Sequence, residues 1–197
     1  MASGFDIALS VALGIGLATA VGFRVFLPLL AVSVASYTGH LTLSDSFTWL
    51  STAAAVTMLS VAAAVEALAY YIPVIDNLLD AVAAPIALIA GTLVSAAVIT
   101  DLPPIVKWTT AIIAGGGAAG LTQAVTTLLR AKSTVLTAGF GNPLIATAET
   151  GGAAIISVLA LVAPIIALGI VLALCWLAVR ALRQLRRRHK DEGAPGS

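Results

Sequence analysis

Cysteine is nearly absent. The single Cys175 excludes an internal disulfide and a cysteine metal site. Histidine is almost as scarce, with His40 in a polar stretch and His189 in a basic one. No apolar run offers a Ser–His pair, a His/Cys metal set or a Gly-Lys-Ser/Thr phosphate loop. These absences argue against an enzyme, and neither a cofactor nor a metal is expected. Charge is also sparse. Only 10% of the residues are charged, against about 25% in a soluble domain. No basic residue precedes the first apolar run, so the n-region of a secretory signal peptide is missing. That run is expected to persist as a first span.

What fills the chain is apolar. Of 197 residues, 60% are hydrophobic, and the mean hydropathy is +1.07. Such a chain cannot cover its surface with polar groups and must expose it to lipid. The expected class is all-α, a polytopic transmembrane helix bundle. The basic residues are unevenly placed. Six of the ten lie between Arg180 and Lys190, while Arg24, Lys107, Arg130 and Lys132 are scattered before them. A basic cluster directly after an apolar helix predicts a cytoplasmic C-terminus. Headgroup contact accounts for that cluster without a nucleic-acid partner. The expectation is one transmembrane domain over 1–188, with a short disordered cytoplasmic tail at 189–197.

A span needs about 20 apolar residues. Full spans are predicted at 5–23, 49–71, 74–99 and 106–130. A Pro28-containing segment at 25–38 is too short to cross alone. Residues 39–48 and 131–142 read as polar loops, and Asp101-Leu102-Pro103-Pro104 as a turn. The last stretch, from Pro143 to about Arg188, is interrupted by Gly151-Gly152 and Pro164. Its simplest reading is a half-helix at 143–150 followed by a long fifth span from about 153. Five full spans and two short broken or re-entrant segments follow. Their order suggests an inverted repeat: each Gly-rich span ends in an arginine (Arg24, Arg130) and leads through a proline (Pro28, Pro143) into the next element. Gly14, Ala18 and Gly22, like Gly116 and Gly120, recur every four residues, the spacing that lets membrane helices approach closely.

Ionisable groups in hydrocarbon cost about 2.5–3.5 kcal/mol each on insertion scales and mark sites by default. Glu66 stands in an apolar run with no local partner. If it is held for function, replacing it by leucine is expected to raise stability, whereas a loss with both leucine and glutamine would point to a structural bond and against the functional role. Glu149 lies beside Gly151-Gly152. Asp76 and Asp80 share a helix face, although a position just after Pro73 also suits helix capping. Arg24 and Arg130 close their spans, and some pairing with the acids is expected. Gln123, Thr126, Thr127 and Arg130 form one continuous polar face. Thr137-Ala138-Gly139-Phe140-Gly141 imitates a potassium filter but lacks a pore helix of its own, and reads as a turn before Asn142-Pro143.

Gly22-Phe23-Arg24 through Pro28, Glu66 before Pro73-Val-Ile-Asp76-Asn77-Leu-Leu-Asp80, Pro85 with Ala90-Gly91, and Asn142-Pro143 ahead of Glu149 resemble the bacterial membrane family described as domain of unknown function 4126. The likeness covers residues 8–180. An acidic residue often follows the glutamate that Glu149 matches in that family, and Thr150 stands there instead. The resemblance implies a membrane protein and this choice of polar residues, with no substrate attached.

The functional expectation is binding or passage of a small solute or ion through a polar cavity lined by Glu66, Asp76, Asp80, Arg130 and Glu149, with Gln123 and Arg24 beside them. The alternative is a non-transporting component that assists assembly or interacts with lipid. The expected setting is a bacterial cytoplasmic (inner) membrane, with lipids as partners and homo-oligomers compatible with the sequence.

Overall fold

A computed structural model describes residues 3–137, 140–173, 176 and 180, without the side chains of Pro73, Val74, Asp76, Asn77, Asp80 and Ala81. Cys175, His189, most of the basic cluster and the tail at 189–197 lie outside the described residues. All regular structure among the described residues is helical. Helix α1 is Gly4–Val21 and α2 is Phe26–Tyr37. A 3-10 turn, Asp45–Ser51, precedes α3, Ala53–Ala69, and α4 follows at Pro73–Val98. Helix α5, Pro104–Thr110, passes through a π-helical segment, Ala111–Gly116, into α6, Gly117–Thr137. Helix α7 is Asn142–Val162, and α8 is Pro164–Ala173.

Local chemistry explains the ends. Ser3 and Asp6 form a capping box on α1: the Asp6 backbone N–H donates to Ser3 Oγ at 3.3 Å and the Ser3 N–H to Asp6 Oδ2 at 2.9 Å. Pro28 sits in the first turn of α2, where a missing N–H removes no helical bond. Pro73, Pro104 and Pro143 start their helices in the same way.

Among the described residues three helices are long and apolar enough to cross a membrane: Gly4–Val21, the joined Pro104–Thr137, and Asn142–Val162. A fourth is counted if the 3-10 turn and α3, bent by 73°, form one span. This is a membrane protein with three or four candidate spans among the described residues, against five expected over the whole chain. Helix α4 has 26 residues, but its described apolar part, Val82–Val98, is short. The expected span at 49–71 begins across the bend, since Trp49 belongs to the 3-10 turn.

Two other boundaries differ. Gly151-Gly152 does not divide the last stretch, because α7 runs through it without interruption. Two helical glycines cost about 1 kcal/mol each relative to alanine, whereas each backbone group left unbonded in hydrocarbon costs several. The break comes at Ala163, with φ −144° and ψ 71°. Pro164 has no N–H to give and pushes its predecessor out of the helical region. The half-helix at 143–150 is therefore the first part of a full α7. In addition, α6 extends to Thr137, so much of the expected loop at 131–142 is helical.

The core is a seam of small side chains. Gly14 of α1 lies against Ser95 of α4, whose Oγ donates to the Gly14 carbonyl at 2.8 Å. A Cβ on Gly91 would meet Ala119 of α6 and, at 3.1 Å, the carbonyl of Gly115. One on Gly22 would run into the Ala119 carbonyl and, at 2.5 Å, Thr122 Cβ. Backbones thus approach where dispersion and hydrogen bonds replace a hydrophobic drive. Around this seam α1 packs on α4 and α7, while α3 packs chiefly on α2.

Gly22→Val is expected to lower stability by about 1–3 kcal/mol through overpacking. A Cβ on Gly151 meets nothing within 4 Å, so Gly151→Ala is expected to raise stability by roughly 0.5–1 kcal/mol. Unfolding in detergent micelles measures both, and equal shifts would contradict the seam.

Candidate functional site

The break between α1 and α2 brings the ionisable residues together. After Val21 the chain turns through Gly22 to Arg24, held by the Arg24 N–H on the Ala20 carbonyl at 3.1 Å. Arg24 is then carried inward and is 2% exposed. Its Nε donates to Thr150 Oγ1 at 3.0 Å and its Nη2 to the Ala146 carbonyl at 3.0 Å. Nη2 also lies 3.4 Å from Glu149 Oε2. Nη1 is buried without a hydrogen-bond partner among the described residues. Thr150 is thus an acceptor for Arg24.

Arg130 reaches the same carboxylate from α6. Its Nε donates to Glu149 Oε1 at 3.0 Å and its Nη2 to Oε2, a two-pronged contact. Arg130 is 3% and Glu149 5% exposed. The two guanidinium carbons lie over the Tyr70 ring, 3.7 Å and 4.6 Å from its centroid for Arg24 and Arg130. A cation over an aromatic face contributes about 0.5–2 kcal/mol. Tyr70 ends α3, so this ring ties a third helix to the pair. Next to it, the Tyr71 hydroxyl meets Thr147 Oγ1 at 2.9 Å.

Glu66 has partners that lie 40 residues or more away in sequence. Its Oε1 accepts the Val25 N–H at 2.8 Å and its Oε2 the Phe26 N–H at 3.0 Å. The carboxylate therefore caps α2 from another helix, satisfying two of the donors that every helix start leaves open and adding negative charge at the positive end of the helix dipole.

Helix α6 turns its polar face inward. Gln123, Thr126 and Arg130 are buried, while Thr127 is exposed and receives the Gln123 Nε2–H at 3.3 Å. Beside this cluster lies a cleft of about 610 Å³ between α3 and α4. Its walls are apolar, including Met58, Val61 and Ala62 on one side and Leu79, Ala83 and Ile86 on the other. Thr57, Glu66, Tyr70 and Gln123 are its polar residues. Of the residues expected to line one polar cavity, Glu66 and Gln123 meet this cleft. Arg24, Arg130 and Glu149 are buried against one another behind it. The side chains of Asp76 and Asp80 lie outside the described residues. Among the described residues no cluster of three or more His, Cys, Asp or Glu could hold a metal.

The interlocking helices explain why the sequence missed parts of this site. Tyr70 reads as an interfacial aromatic at a helix end, and only the meeting of three helices makes it a platform for guanidiniums. The cleft has no sequence signal, because it depends on α3 and α4 taking different packing partners.

A family model described as Domain of unknown function (DUF4126) matches residues 11–184. The match covers most of the chain, which therefore belongs to this family. No curated protein and no solved structure matches the chain.

The geometry reverses the expectation for Glu66→Leu. The substitution strips acceptors from two backbone donors and is expected to cost about 1–3 kcal/mol. Glu66→Gln keeps one acceptor and is expected to cost less. Thermal unfolding in detergent, with amide exchange at Val25 and Phe26, measures both. A more stable leucine variant would show that the cap contributes nothing.

Proposed function

We propose that this member of the DUF4126 family is a membrane-embedded binding protein, which takes a small lipid-like molecule into the cleft between α3 and α4. The observation that carries this reading is the make-up of the cleft. Its volume of about 610 Å³ falls within the range of small-molecule sites, roughly 300–1,000 Å³. Its walls are apolar, and a few polar groups converge at Glu66, Tyr70 and Gln123. An apolar body would rest between Met58 and Leu79, with its polar end toward Glu66. This reading takes up the lipid-interacting alternative. Passage of an ion or hydrophilic solute is the weaker one, since Arg24, Arg130 and Glu149 engage each other and leave the cleft wall apolar.

The setting we propose is a bacterial cytoplasmic membrane with the basic C-terminus inside, which rests on the asymmetry of Lys and Arg. Catalysis is not part of the proposal.

Ala62→Trp fills the cleft from α3. In nanodiscs it is expected to weaken binding of an environment-sensitive alkyl dye by at least about tenfold, or about 1.4 kcal/mol, with the unfolding temperature nearly unchanged. Equal binding by the parent and the variant would overturn the proposal.

A further inference from the structure

Two side chains at the polar end of the cleft, Glu66 and Gln123, present acceptors to it, and this deepens the binding reading on which it rests. Gln123 is 7% exposed and lines the cleft. Its Nε2 is engaged with Thr127, while its carbonyl oxygen Oε1 accepts no hydrogen bond among the described residues. An amide oxygen on the cleft wall with no partner of its own offers an acceptor to whatever enters. Glu66 faces the same cleft. Each of its oxygens takes one backbone N–H, and a carboxylate offers about four acceptor sites, so roughly half its capacity remains.

We infer that the cleft selects a single-chain amphiphile whose head donates hydrogen bonds, such as an alcohol or an ammonium. The head lies between Glu66 and Gln123 Oε1, and the chain runs along the apolar walls of α3 and α4. A carboxylate or phosphate head would face the like charge of Glu66. An ester head would bring a further acceptor and leave Gln123 Oε1 unpaired.

The experiment uses the full chain in phosphatidylcholine vesicles with dodecyl probes that carry a diazirine on the chain. Their heads are a hydroxyl, an ammonium, a carboxylate or a methyl ester. Photolysis followed by peptide mass spectrometry reads labelling at Met58 and Ala62. The hydroxyl and ammonium probes are expected to label about tenfold more than the other two, the effect of one hydrogen bond to a charged acceptor. Gln123→Leu is expected to shrink this preference while chain labelling persists, and Ala62→Trp to abolish labelling by all probes. Equal labelling by all four heads would overturn the head-group inference and leave the cleft reading standing. Preference for the carboxylate or the ester would overturn it too. Failure of every probe to label the cleft would overturn the cleft reading itself.

Discussion

Two guanidiniums converge on one carboxylate inside an apolar bundle, and the positions of the surrounding elements follow from that contact. Glu149 on α7 receives Arg130 from α6 and lies 3.4 Å from Arg24, which comes from the turn after α1. Taking such charges out of water carries a penalty of several kcal/mol per ion, and removing one partner of a buried pair costs about 3–5 kcal/mol. The contact is therefore demanding. Its members must arrive together, and this fixes the break at 22–25 against the first half of α7. Tyr70 beneath both arginines and Glu66 on the α2 donors extend the same constraint to α3. A fully apolar replacement of similar volume would satisfy packing as well, so stability alone gives no reason to keep these groups. Holding an irregular turn within a membrane protein does, because unbonded backbone there is costly.

Helix α2 starts at a half-buried turn beside α3, and its first donors need an acceptor. Glu66 supplies it from the neighbouring α3, and the same carboxylate forms the polar end of the cleft. Capping and cleft chemistry thus share one side chain. The α3–α4 cleft exists because α3 packs on α2 while α4 joins α1 and the π-helical segment through small residues. The cleft, and with it the binding proposed for it, then arises from how the seam distributes the helices.

Much of this was legible in the sequence. Composition gave the membrane class. The spacing of Gln123, Thr126, Thr127 and Arg130 predicted an inward face, from which Thr127 departs by being exposed, and the cost of unpaired charge predicted that arginines and acids would meet. Gly14, Ala18 and Gly22 do lie on close-packed surfaces. Other features were hidden for physical reasons. Gly151-Gly152 reads as a break on propensity, yet a backbone in lipid keeps its hydrogen bonds. Pro164 and Pro85 look alike in sequence, but the helix ends before the first and continues through the second. The π-helical turn at Ala111–Gly116 leaves no periodic trace over so few residues. Glu66 seemed partnerless because its partners are backbone donors 40 and 41 positions away.

A double-mutant cycle between Arg24 and Glu149 tests the central constraint most directly. Arg24→Met, Glu149→Gln and the double variant would be compared with the parent by reversible unfolding in lipid-containing micelles. Residues that share one ion-pair network show coupling energies of about 0.5–3 kcal/mol. The account predicts coupling in the upper part of that range, with the double variant losing clearly less than the sum of the single losses. Additive losses would contradict it, since they would mean that Arg24 and Glu149 contribute independently and that the ion pair does not hold the turn against α7.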